Sequence, residues 1–187
     1  MGWTNSAASD GTMYEVCLQD QANSCVCACI ATVARLVLNK RLDESTVRRW
    51  VGEAEGSKNI SSDKIRHFEN KAASIDVVGE VLKKLKLSAL RVHGSDNVKK
   101  WLPSASPSRP ALVGLKWTRL DPVTNNYEYH GGGHMVVCVG VRGNNAVFLD
   151  PGVGVVDIPA DVPPRYGVTY PGSAQRSTGV LQEMQQL

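Results

Sequence analysis

The hydrophobic period of this chain changes part-way along it, and that change limits the folds open to it. Up to about residue 86 the apolar residues recur at steps of three and four, the period of a helix face. Cys29, Ile30, Val33, Leu36 and Val37 mark one such face. The spacing predicts a helix over Ser24–Leu38, capped by Asn23 or Ser24 and ended by Asn39-Lys40. Asp43 caps a second helix that carries Val47, Trp50 and Val51 and stops within 52–56. A short helix is expected around 63–70. Ser74 caps a further one with Val78, Val81, Leu82 and Leu85 on one side, and Lys83, Lys84 and Lys86 near its end, where cations suit the dipole.

Beyond Ser88 short apolar runs alternate with turns: Ser88–Val92, Ala111–Trp117, Met135–Val141, Ala146–Leu149 and Val153–Ile158. A helical turn over Asn97–Leu102 interrupts them, and Arg142-Gly143-Asn144-Asn145 is a hairpin signal. Helices first and antiparallel strands second define an α+β class. Residues 1–13 are rich in Gly, Ser, Asn and Thr and are read as a flexible N-terminus. Residues 172–187 are polar and read as a frayed tail, which leaves one domain over 14–171. The start Met1-Gly2 with Ser6 also fits an N-myristoylation signal.

The 187 residues carry a net charge of +3, too little to call for a nucleic-acid partner, and they contain no dense basic run. The apolar stretch Cys25–Leu38 includes Arg35 and is too short to span a bilayer, so no integral membrane segment is expected. The N-terminus lacks the basic and apolar regions of a secretory signal. Five cysteines, three of them at alternate positions 25, 27 and 29, do not look like a disulfide framework. Reduced thiols point to a cytosol, that of the producing cell or one entered by injection.

Three groups could carry chemistry. Cys25 follows Gln19-Asp20-Gln21-Ala22-Asn23-Ser24 and opens the apolar helix, where the dipole favours a nucleophilic thiolate. His134 follows Gly131, Gly132 and Gly133 at the opening of a strand, and the glycines leave room for backbone or substrate in front of its ring. Asp150 ends the next strand, and the hairpin places it on the same side as His134, where it would fix the imidazole tautomer. Nucleophile, base and orienting acid follow in that order, and none of this chemistry needs a cofactor.

Gln19, five intervening residues, Cys25 and the helical Ala28-Cys29-Ile30-Ala31 resemble the start of papain-like cysteine peptidases. Gly133-His134-Met135-Val136-Val137, with Asp150-Pro151 sixteen residues after the histidine, is similar to the bacteriocin-processing branch that removes double-glycine leaders. The resemblance implies a papain-like fold, Cys25 as nucleophile, His134 as base and acid, and Asp150 as orienter. It also implies an oxyanion hole made by Gln19 and the Cys25 N–H. Val26 stands where such enzymes commonly carry glycine.

Other readings compete residue by residue. Gln21 rivals Gln19 but misses the family spacing. Cys29 lies one turn beyond Cys25 and is read as core, while Cys27 points elsewhere. His130, Gly132 and Gly133 are read as substrate contacts, and Trp117 and Trp101 as packing. Zinc is disfavoured because thiols at alternate helical positions cannot converge on one ion. The expected partner is a peptide or protein substrate. The same thioester chemistry also serves glutamine deamidation, and the same shell could serve as an inactive binding module. Relatives of this fold include injected effectors, so a cytoplasmic or injected location and a cognate inhibitor or immunity protein are further expectations.

Overall fold

The computed structural model describes residues 2–55, 75–120, 123–124, 127–159 and 165–187. The expected helix around 63–70 and the Ser74 cap lie outside these residues. Helices α1 (Cys25–Leu38), α2 (Glu44–Ala54) and α3 (Val78–Lys84) belong to the first half of the chain, and α4 (Ser95–Trp101) follows. Strands β1 (Trp3–Ala7) and β2 (Met13–Cys17) form a hairpin. Strands β3 (Leu90–His93), β4 (Ala111–Leu120), β5 (Tyr127–Arg142), β6 (Asn145–Asp150), β7 (Gly154–Pro159), β8 (Arg165–Val168) and β9 (Ser177–Gln186) form one antiparallel sheet. Its order is β3-β9-β4-β5-β6-β7, with β8 paired to the first half of β9. The class is α+β, as the change of period predicts.

Residues Cys25–Ala34 of α1 are all buried, and their small side chains let the helix lie close to the sheet. The Cys29 thiol donates to the Met135 carbonyl in β5 at 3.1 Å. Ile30 and Val33 join Val47, Val81, Met135, Val137 and Leu149 in one apolar cluster. Each such side chain contributes about 1.5–3 kcal/mol on burial. Asn39 ends α1 in the left-handed region at φ 54°, with its N–H on the Ala34 carbonyl. The other sheet face carries a second cluster that includes Val136, Cys138, Phe148, Tyr166 and Met184. Among the described residues no helix is long and apolar enough to cross a membrane.

Both chain ends differ from the sequence reading. The run expected to be flexible holds β1, and the hairpin is docked by its polar residues. Ser6 Oγ accepts the Val155 N–H at 3.0 Å, and Arg142 at the end of β5 pairs with Asp10 and donates to Thr12 at 2.9 Å. The run read as a frayed tail holds β9, which lies between β4 on one side and β3 and β8 on the other. Its Gln186 is buried, and the amide donates to the Arg109 carbonyl at 2.8 Å. A composition-based reading takes such residues as solvated, whereas here their hydrogen bonds are made inside the protein.

Candidate active site

Strand register explains how β5 and β6 bring two of the candidate residues together. Val137 pairs with Leu149 and Cys138 with Phe148. Alternation then puts His134 on the face of Val136 and Cys138, and Asp150 on the face of Phe148. His134 Nε2 lies 3.2 Å from both carboxylate oxygens of Asp150. The other ring nitrogen is left for Cys25, which lines the same two depressions as the ring. Cys25 is the first residue of α1 and is 6% exposed.

Asp150 is fully buried and densely partnered. Oδ1 accepts the Gly152 N–H at 2.6 Å, and Oδ2 accepts the Tyr166 hydroxyl and, at 3.4 Å, that of Tyr170. Burial and the negative charge of Asp150 push both phenols well above their ordinary pKa, so they stay protonated and donate. Gly152 leaves room for the Tyr170 ring, since a Cβ there would come within 2.5 Å of it.

The glycine run is not the opening of a strand, as the sequence suggests. β5 begins earlier, and the run is a bulge within it: Thr118 pairs with Tyr129 but Lys116 pairs with Gly133. His130, Gly131 and Gly132 therefore oppose Trp117 alone. Gly131 has φ 80°, which favours glycine, and a Cβ on Gly131 or Gly132 would meet open space. Gly133 instead leaves room for β4, since a Cβ would sit 3.1 Å from the Leu115 carbonyl. The His130 side chain lies outside the described part of the structure.

Trp117, read from sequence as packing, stacks on His134 with centroids 5.4 Å apart and planes at 19°. Tyr170 meets both rings edge-on. Neither tyrosine nor Trp117 has a local sequence signal for this role, because their placement depends on the β5 bulge and on β8. The His134 side chain is only 8% exposed beneath them.

Burial alone would lower the pKa of His134. Hydrogen bonds to Asp150 and Cys25, together with the charge of Asp150, outweigh it and raise the pKa to about 9. The folded value thus exceeds the ordinary 6.5. The stability this gives is fully present below about pH 6.5 and is lost as pH rises through about 9. Urea unfolding of the wild type and His134→Gln between pH 6 and 10 checks this. The stability gap should shrink toward high pH, and a constant gap would contradict it.

Gln19 is fixed at its backbone, with its N–H on the Pro151 carbonyl at 2.8 Å. The next residue, Asp20, donates its N–H at 2.9 Å to Glu44, a buried carboxylate that also pairs with Arg48. The Gln19 side chain is held loosely. Nε2 reaches the Ala22 carbonyl only at 3.4 Å, and Oε1 is buried without a partner. The carboxamide can therefore turn without losing a strong bond. Gln21 is exposed and tied to Ser24 through its backbone.

Cys27 and Cys29 do not share the environment of Cys25. Burial pushes the Cys27 thiol up to about 12 and raises the Cys29 thiol well above its ordinary value. The three thiols do not converge, because Cys29 bonds to Met135 while Cys25 meets His134. Two depressions flank Cys25 and His134. One, of 660 Å³, is lined by Gln19, Trp117 and Tyr170. The other, of 290 Å³, is lined by Val26, Gly132 and Met135. Val26 thus belongs both to the core and to the cleft wall.

No family model matches the chain, and no curated protein does. Solved structures do match it, two of them as follows. One is a double glycine motif protease from an AMS/PCAT transporter, in complex with the leader peptide, at 20% identity and a TM-score of 0.52; the match covers 89% of each chain. The other is the peptidase domain of Streptococcus ComA, a bi-functional ABC transporter involved in quorum sensing. Its identity is 13% and its TM-score 0.51, over 90% of this chain and 98% of that one. The chain has the papain-like fold of these peptidase domains.

Proposed function

We propose that the protein is a cysteine peptidase that hydrolyses peptide bonds in a peptide or protein substrate. The observation that carries this reading is the His134 imidazole bonded to the buried Asp150 carboxylate, with Cys25 at the start of α1 lining the same two depressions as the ring. Cys25 Sγ attacks the carbonyl carbon, and its proton resides on His134. The tetrahedral intermediate collapses to a thioester as His134 gives that proton to the departing amine. Water, deprotonated by His134, then attacks the thioester and frees the acid and the Cys25 thiol. Asp150 holds the ring with its Nε2–H inward, which leaves Nδ1 to exchange protons with Cys25 and the amine. The bulge at Gly131 and Gly132 admits an extended backbone beside the ring. The leader peptide bound by one fold neighbour supports a peptide substrate.

The test is to incubate a proteome-derived peptide pool with the wild type and with Cys25→Ala, and to read products by mass. New termini made by the wild type alone support the peptidase. A gain of about one dalton without cleavage would mean amide hydrolysis at glutamine by the same thioester route. No change of either kind overturns the enzymatic reading.

Gln19 and the Cys25 N–H form the oxyanion hole in this reading. Gln19→Ala should lower kcat by about 10²–10³-fold, the range for one lost oxyanion donor, with KM little changed. Kinetics on a peptide found in the pool decide it, and a change confined to KM would remove Gln19 from this role.

A further inference from the structure

The triad leaves one charged feature of the cleft unused. Arg119, near the end of β4, and Arg176, one residue ahead of β9, both line the 660 Å³ depression that opens from Cys25. Thr118 pairs with Thr178, so the two arginines stand at adjacent strand ends. We infer that Arg119 and Arg176 form a subsite for acidic side chains of the substrate, on the side of Cys25 marked by Gln19 and Trp117. The inference rests on the peptidase reading.

Five other arginines are paired inside the fold. Arg35 and Arg41 both meet Glu15, Arg48 meets Glu44, Arg91 meets Asp76 and Glu183, and Arg142 meets Asp10. Those arginines tie elements of the fold together. Among the described residues neither Arg119 nor Arg176 has a carboxylate partner, although Glu128 stands opposite Arg119 in the β4–β5 ladder. No described residue lining this depression is acidic, and the rest of the polar lining is neutral apart from His134. The depression on the other side of Cys25 differs. It contains Glu183, already met by Arg91 and 3.4 Å from His93, together with Lys116. Among the described residues two arginines without a carboxylate partner therefore stand on this side, whereas the other side has one lysine, Lys116, beside a carboxylate already engaged.

Arg176 is also positioned. A Cβ on Gly167 in β8 would come within 2.6 Å of its Nε and 2.7 Å of its Nη2. The backbone there is not in the left-handed region, so the missing side chain serves the arginine and not a turn. The Nε–Nη2 edge of the guanidinium sits against Gly167, and the exposed group stays in place as a donor for a carboxylate presented from the cleft. Holding it there reduces the ordering cost on binding.

Binding can be measured without turnover. Cys25→Ala protein is titrated into fluorescein-labelled octapeptides with a central Gly-Gly. They carry three glutamates before it, three after it, or glutamines in all six places. One of the two acidic peptides should bind at least about threefold more tightly than the neutral one, since each exposed ion pair contributes up to about fivefold. That preference should vanish when Arg119→Gln and Arg176→Gln are added. It should persist when Lys40→Gln and Arg49→Gln, at exposed positions of equal charge, are added instead. A preference below threefold, one that survives the cleft substitutions, or one lost equally in the surface control overturns the inference. Thermal unfolding of each variant confirms that it is folded. Wild-type protein given the peptide pool reports separately on the peptidase, so an uncut pool would sink that reading while leaving the binding result intact.

Discussion

Cys25→Ala protein is expected to cut no peptide and to lose the one thiol that iodoacetamide modifies quickly in the folded state. Removing the nucleophile of a triad costs on the order of a million-fold in kcat. The alkylation half of the result follows from the surroundings of the other four cysteines. Burial raises Cys17, Cys27 and Cys138 to about 12 and Cys29 well above its ordinary value. A thiol at 12 is ionised in about one molecule in 10⁵ at pH 7, and the thiolate is the reactive form. Cys25 alone among the five lies at a helix start and beside the His134 ring. Peptide mapping after brief alkylation should place the label on Cys25 in the wild type and nowhere in the variant. Label arriving first on Cys27 or Cys29 would assign the nucleophile wrongly.

The halves of this site differ in how openly the sequence carries them. Cys25, His134 and Asp150 were legible because each depends on local pattern: a thiol opening an apolar helix, and two residues at matched places on a hairpin with a short turn. Gly143 in a tight turn sets the register as far as the Gly140–Val147 pair, and a bulge between Cys138 and Gly140, which no local signal marks, then shifts it by one residue and sets Asp150 on the face of His134. Trp117, Tyr166 and Tyr170 were not legible. Trp117 reaches His134 through a bulge that opposes it to three residues of β5, and no composition signal marks where such a bulge falls. Tyr166 belongs to a four-residue strand that pairs with β9. β9 itself was hidden by its glutamines, whose place in the sheet depends on acceptors as distant as Arg109. Sequence pattern marks what neighbours in the chain decide, whereas the walls around the imidazole come from a bulge in β5 and from β8, which joins the sheet through β9.

Those walls decide the second large effect. Asp150→Asn keeps the size of the side chain and should lower kcat by about 10²–10⁴-fold, through the tautomer of His134. The Gly152 N–H can only donate, so the amide oxygen must take the Oδ1 place. The amide nitrogen then occupies the Oδ2 place, facing Tyr166 and Tyr170. Its N–H groups seek acceptors there, and His134 Nε2, which lies 3.2 Å from that position, becomes one. Nε2 must then give up its proton, and the neutral ring carries it on Nδ1, facing Cys25. A ring in that state cannot take the thiol proton. The variant also loses the carboxylate whose hydrogen bond and charge raise His134, so the His134 pKa should fall from about 9 toward its ordinary value. The check combines the pH profile of kcat with the imidazole NMR signals. The expected result is a loss of rate together with a downward shift in His134 titration. Full activity with an unchanged profile would show that Asp150 does not orient the ring. A loss of rate with His134 still titrating near 9 would assign the effect to packing.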